Sequence, residues 1–225
     1  MHKTELIVAL DTPGLKGAAA LMDRLEGAAK FYKIGSELFT AEGPAAVDLV
    51  HKRGGRVFLD LKFHDIPNTV KAAVKNAARM GVYSVSLHLA GGADMIRACA
   101  ELDGRPKLWG ISVLTSLNEY NLFSVGFRGG IDKTVKLLAA LGRESGADGV
   151  VCSPLEAWRL KAVHGAALKL VTPGIRPQAG GDDQKRAATP AQARANGADF
   201  IVVGRPIIAA QDPRAAAEAV LKELA

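Results

Sequence analysis

Eight short runs of apolar, largely β-branched residues recur along the chain. They are LIVALD (6–11), FYKIG (31–35), RVFLDL (56–61), YSVSLHL (83–89), KLWGISVL (107–114), GVVCS (149–153), KLVTPG (169–174) and FIVVGRP (200–206). Each run is nearly continuous rather than alternating, the pattern of a parallel strand buried on both faces. Between them lie stretches rich in Ala, Leu, Lys and Glu at helical spacing. One of these, TVKAAVKNAARMG (69–81), stops on a glycine, which ends helices readily. Eight strand-then-helix units in 225 residues predict a single α/β domain spanning 1–225, closed into a (β/α)8 TIM barrel. A doubly wound open sheet is the alternative, but it would need fewer strands or a second domain, and no low-complexity linker breaks the pattern.

Two connections are longer than the rest. Residues 115–130 (TSLNEYNLFSVGFRGG) and 175–189 (IRPQAGGDDQKRAAT) are polar and glycine-bearing. Both follow strands, which places them at the C-terminal face where barrel enzymes keep their sites, and loops of that length there usually clamp or cover a ligand. Composition adds exclusions. At 48% hydrophobic and 23% charged, the chain is that of an ordinary globular protein and not a disordered one. Its two cysteines, Cys99 and Cys152, form no C-x-x-C, so neither a zinc site of usual spacing nor a disulfide framework is expected, and a reduced, cytoplasmic setting is. MHKTELIVALD enters a strand directly without the apolar stretch of a signal peptide, and no apolar run nears the roughly 20 residues that span a bilayer. The net charge of +6 suits an anionic ligand, but it is not gathered into basic runs with interleaved aromatics, so nucleic acid is not an expected partner.

Polar residues at the strand ends hold the candidate chemistry: Asp11, Lys33, Asp60, Lys62, Asp65, His88, Thr115, Arg176 and Arg205. The densest stretch is LDLKFHDIPNTV (59–70), where charges follow a buried run although ionised groups are costly to bury unless paired. Side chains alternate along a strand, so Asp60 and Lys62 share a face. If that face is the barrel interior, Lys33 of the neighbouring strand reaches Asp60 and completes an alternating Lys33–Asp60–Lys62–Asp65 array. Such an array either stitches two strands together or forms a reactive centre, and its place at strand C-termini favours the second reading. Arg176 in TPGIRP and Arg205 in VGRPI follow the last two strands, where barrels often bind phosphate with backbone N–H groups and a cation. The remaining histidines weigh less. His51 and His64 read as surface or loop residues, His88 as either core or supporting, and His164 as a helix-end residue. No His/Asp/Glu cluster has metal-ligand spacing, no G-x-G-x-x-G follows the first strand, and G-x-S-x-G and P-loop motifs are missing, which removes support for hydride transfer, ATP chemistry and serine hydrolysis.

LDLKFHDIPNTV resembles the D-x-K-x-x-D-I-x-x-T signature of the orotidine 5′-phosphate decarboxylase family, bacterial type. The likeness extends through VALD, YKIGSELF, LHLAGG, VLTS, VTPGIRP…DDQKRAATP and VVGRPI, and so along the whole chain. The resemblance implies a cytoplasmic homodimer that removes carbon dioxide from orotidine 5′-phosphate without cofactor or metal, giving UMP in the last step of de novo pyrimidine synthesis. It makes Lys62 the proton donor to carbon 6 and the stabiliser of the carbanion, with Asp60 and Lys33 orienting it. Asp65 and Thr69 would reach into the partner subunit's site. Asp11 and Lys33 would bind ribose hydroxyls, Asp60 would face the substrate, Thr115 would contact the base region, Gln184 would belong to the closing loop, and Arg176, Gly204 and Arg205 would hold the phosphate. Two rivals share parts of this pattern. The magnesium-dependent 3-keto-gulonate-6-phosphate decarboxylase and hexulose-phosphate synthase have the same D-x-K-x-x-D core, but carry an acidic residue near the position of Lys33, where lysine would repel a metal. A non-catalytic nucleotide-phosphate-binding barrel would have no need of Lys62 between carboxylates.

Overall fold

The computed structural model describes residues 3–25, 27–176 and 186–225. Its strands are β1 (Glu5–Ala9), β2 (Phe31–Gly35), β3 (Arg56–Phe63), β4 (Ser84–His88), β5 (Lys107–Ile111), β6 (Gly149–Val151), β7 (Lys169–Thr172) and β8 (Phe200–Val203). They pair in chain order, all parallel, and β8 closes on β1 through the register Glu5↔Phe200 to Val8↔Val203. Every apolar run predicted as a strand therefore forms one; six are shortened at the C-terminal end, while β2 ends where expected and β3 runs on to Phe63. At β1, β5, β7 and β8 the ladder stops before Asp11, Thr115, Arg176 and Arg205, the last of which opens a short helix at the barrel mouth.

The barrel interior is an aromatic plug. Trp109 lies 4.5 Å from Phe58, 5.0 Å from Phe200 and 6.0 Å from Phe31, ring centroid to centroid. Below it the Arg56 guanidinium sits 4.6 Å over the Phe31 ring and 5.1 Å over Tyr83, paired with Glu5. The indole fits because β6 has no side chain at Gly149, where a Cβ would lie 3.0 Å from Trp109 Cδ1 and 2.7 Å from the Lys169 carbonyl oxygen. Outside the strands the helices bury one face each. Helix Pro67–Arg79 presents Val70, Val74 and Ala77 inward, each such buried valine contributing roughly 1.5–3 kcal/mol, and the chain reverses at Gly81, whose φ of 71° favours glycine. Among the described residues no helix is long and apolar enough to cross a membrane.

At the N-terminal face two aspartates anchor the strands. Asp148, just before β6, accepts from the Leu108 N–H at 2.9 Å and pairs with Arg105 and Lys107. Asp199, just before β8, accepts from the Leu170 N–H at 3.0 Å and pairs with Lys161 at 3.1 Å and Lys169 at 2.8 Å. Burial raises each carboxyl, but these N–H and cation partners outweigh it and hold both below the ordinary aspartate range.

The two long connections differ from plain loops. Residues 115–130 contain the helix Glu119–Ser124, opened by Asn118, whose side chain accepts from the Asn121 N–H at 2.8 Å. Leu122 is the side chain it buries, so the segment has no apolar stripe to betray it. Of the 175–189 segment, residues 177–185, Gln184 among them, lie outside the described residues. Its described ends join as a parallel bridge, Ile175 against Ala188, with the Arg176 N–H donating to the Ala188 carbonyl at 2.9 Å.

Candidate active site

Strand β3 does not keep an even pleat. Leu59 pairs with Val85 but Phe63 with Leu87, so four steps on β3 match two on β4. The surplus falls on Asp60 to Lys62, and Lys62 takes φ 51°, the one positive φ outside glycine among the described residues. A residue with a side chain pays roughly 1–2 kcal/mol for this region, and such outliers collect at functional sites. Asp60 and Lys62 do meet, as the alternation rule expects, but through a bulge and not through the regular pleat.

Three hydrogen bonds surround the bulge. The Lys62 backbone N–H donates to Ser86 Oγ at 2.8 Å, the Ser86 hydroxyl donates to Asp60 Oδ1 at 2.7 Å, and Lys62 Nζ donates to Asp60 Oδ2 at 2.8 Å. Lys33 Nζ on β2 lies 2.8 Å from Asp11 Oδ1 and 3.8 Å from Asp60 Oδ2. The ion-pair string within the chain is thus Asp11–Lys33–Asp60–Lys62, two carboxylates against two ammoniums, and it ends on Asp11 where the sequence pattern suggests Asp65. Asp65 instead is exposed two residues past the end of β3, its Oδ1 accepting from the Ile66 N–H at 2.6 Å. Asp65 thus stands outside the string, on the exposed segment that leads from β3 into helix Pro67–Arg79, where Thr69 is also exposed. Gly35 leaves the space that Lys33 occupies, since a Cβ there would lie 2.8 Å from Lys33 Nζ.

Above the aromatic plug this string walls a cavity of about 310 Å³. Lys33, Asp60 and Lys62 form its charged side, Phe58, Ile111 and Val202 its apolar side, and Thr115 stands at its edge. Cys152 also lines it, but burial pushes the thiol up to about 12, with Arg186 pulling weakly the other way, so it is not a nucleophile at neutral pH. His88 closes β4 with its ring 5.2 Å from His64. Burial, then His64, then Lys62 lower its proton affinity, which keeps the imidazole neutral and adds no charge beside Lys62.

The other expected residues lie at the same rim. Arg176 is half-buried and donates to the Ile175 carbonyl at 2.8 Å. Arg205 begins the short helix Arg205–Ile208, and Gly204 before it backs onto the site, a Cβ there falling 3.6 Å from Asp11 Oδ2. No three His, Cys, Asp or Glu side chains gather as a metal would require, among the described residues.

Two elements of the site were not expected from the sequence. Ser86 is one, a polar residue inside an apolar run, which is the signal it did leave. The other is Arg186, which pairs with the buried Glu156 and donates to the carbonyls of Val113 at 3.2 Å and Leu114 at 2.9 Å. Glu156 also accepts from the Ser153 N–H at 3.1 Å, and the Ser153 hydroxyl donates to the Arg186 carbonyl at 3.2 Å. This cluster ties the strand of chain beside Arg176 to the residues just before Thr115. An arginine in a polar loop gives no hint of such burial.

Comparison with known proteins agrees with the geometry. Residues 4–220 match the family model described as Orotidine 5'-phosphate decarboxylase / HUMPS family. The chain is 48% identical over 227 residues to an orotidine 5'-phosphate decarboxylase of Teredinibacter turnerae, covering 98% of this chain and 97% of that one. It is 46% identical over 237 residues to one of Moorella thermoacetica, covering 100% and 94%. The crystal structure of orotidine 5'-phosphate decarboxylase from Lactobacillus acidophilus superposes with a TM-score of 0.87 at 38% identity, covering 98% of this chain and 99% of that chain. A parallel eight-stranded barrel with a lysine–aspartate string at its mouth, matched over nearly its full length, belongs to the orotidine 5′-phosphate decarboxylase / HUMPS family.

Proposed function

We propose that this chain decarboxylates orotidine 5′-phosphate to UMP without a cofactor, and that Lys62 is its proton donor. The observation that supports this most is the Lys62 ammonium, fixed 2.8 Å from Asp60 on the wall of a largely apolar cavity. Loss of carbon dioxide breaks the bond between carbon 6 and its carboxylate and leaves the electron pair on carbon 6, with no conjugated system to receive it. Such a carbanion needs positive charge already in place and little water nearby. Lys62 meets the first need, and transfer of a proton from Nζ to carbon 6 completes the product; solvent then restores the ammonium. Asp60 and Lys33 hold Lys62 in place, and Lys33 with Asp11 binds the ribose hydroxyls. Thr115 contacts the base. Arg176, Gly204 and Arg205 hold the phosphate, far from the reacting carbon, where binding energy is available for use in the transition state. Gln184 belongs to this proposal on its family likeness alone.

The catalytic unit in this reading is a homodimer in which Asp65 and Thr69 serve the partner's site. Both are exposed beside the mouth, and Ile66 between them is 67% exposed, an apolar side chain that a second copy would cover. The test is the ultraviolet loss of orotidine 5′-phosphate with EDTA present. Full activity there supports metal-free decarboxylation; activity that vanishes with EDTA and returns with magnesium would replace it by the chemistry of the sugar-phosphate branch.

A further inference from the structure

We infer that Ser86 is a positioning residue for Lys62, and that its hydroxyl closes a ring which fixes both ends of that lysine. The ring runs from the Lys62 backbone N–H to Ser86 Oγ, from the Ser86 hydroxyl to Asp60 Oδ1, and from Asp60 Oδ2 back to Lys62 Nζ, at 2.8, 2.7 and 2.8 Å. A hydroxyl has one proton. Because the Lys62 N–H takes a lone pair of Ser86 Oγ, that proton is directed to Asp60. The direction matters at both ends. Capturing Oδ1 leaves Oδ2 as the oxygen that faces Lys62 and, at 3.8 Å, Lys33. Accepting the N–H gives the bulged Lys62 a partner in place of the ladder bond that the β3–β4 slip removes, and so supports its φ of 51°.

The same strand supplies a contrast. Ser84 is two residues earlier on the same face and equally buried, yet its hydroxyl has no hydrogen-bond partner. A buried serine on β4 therefore does not need to be satisfied for the strand to form. Ser86 is distinguished by what it touches.

The inference rests on the decarboxylase reading, and one experiment separates them. The wild type, Ser86→Ala, Ser86→Cys and Ser84→Ala are purified, their melting temperatures recorded, and kcat, KM and UMP affinity measured with orotidine 5′-phosphate. Cysteine keeps the shape of serine with a weak donor, so it carries the test if the alanine variant does not fold. The expected result is a fall in kcat of about 10²-fold in folded Ser86→Ala and Ser86→Cys, as for a reacting group misplaced by about 1 Å. KM and UMP affinity stay near wild type, Ser84→Ala is unaffected, and a crystal structure of the slow variant shows residue 62 out of the left-handed region. Wild-type kcat in Ser86→Ala or Ser86→Cys overturns the inference, as does a loss of UMP affinity equal to the loss in kcat. A wild type that does not consume orotidine 5′-phosphate fails the decarboxylase reading instead.

Discussion

Gly35→Ala tests how tightly the charged string is built. The backbone there has φ −94° and ψ −175°, which alanine adopts freely, so the effect is confined to the added carbon. That carbon would stand 2.8 Å from Lys33 Nζ and 3.3 Å from Asp11 Oδ1. Relieving it to an ordinary contact of about 3.4 Å moves the ammonium by about 0.6 Å. If the Lys33–Asp11 pair opens from 2.8 Å by that amount, the Coulomb attraction falls by about 1 kcal/mol at an effective dielectric near 20, an upper figure because water screens the 43%-exposed Asp11 side chain. On the electrostatic loss alone kcat/KM drops about fivefold; if Lys33 also drags Asp60 and Lys62 out of line, the loss approaches 10²-fold. Stability moves little, since the displaced atom ends a flexible side chain and alanine recovers roughly 0.4–1 kcal/mol of unfolded-state entropy. The measurements are steady-state decarboxylation and a urea midpoint on the same preparation. A variant with full kcat/KM would show that Lys33 has room to spare, and the argument that Gly35 shapes the string would be wrong.

Lys62→Ala is expected to remain folded and lose turnover, and Lys62→Gly to be more stable than Lys62→Ala by about 1 kcal/mol because glycine accepts φ 51° without strain; equal urea midpoints would contradict the strain. Mixing inactive Lys62→Ala with inactive Asp65→Ala restores about a quarter of wild-type activity after subunit exchange, because half of the dimers are hybrids with one intact site; no recovery despite proven exchange refutes the shared site. Arg186→Met strands Glu156 in the interior and costs about 3–5 kcal/mol, read from the urea midpoint, and a change below 1 kcal/mol would mean that the pair is not effectively buried. Asp148 and Asp199 have folded-state pKa values below their unfolded value of 3.8, so their contribution is complete above it and fades as the pH falls through the folded values. Below about pH 4 the urea midpoint of the wild type declines, and the Asp148→Asn/Asp199→Asn protein shows a flatter decline; parallel curves would count against the anchors.

The barrel was legible because parallel strands covered on both faces leave long apolar runs, and a run such as LIVALD has few other uses in a soluble chain. The helix Glu119–Ser124 was not, since six residues that bury one leucine are too few to show a helical period. The charged string was partly legible. Lys33, Asp60 and Lys62 stand at strand ends, and placing them together needs no more than strand order. What the residues do not announce is the slip between β3 and β4, because a bulge depends on both strands and alternation is a rule of one. Ser86 and Arg186 were hidden for a related reason: each acquires its partners from segments distant in sequence, Asp60 across a strand pair and Glu156 across two loops.

Trp109 offers a consequence of another kind. It is buried at the centre of the barrel, 4.5 Å from Phe58, and Phe58 forms part of the cavity wall. The other tryptophan, Trp158, is 52% exposed on the outer surface. The chain thus contains its own optical probe: a blue-emitting indole beneath the cavity and a red-emitting one in water, which iodide quenches selectively. Filling the cavity would register in the first signal and leave the second as an internal reference, giving occupancy by fluorescence with no label attached.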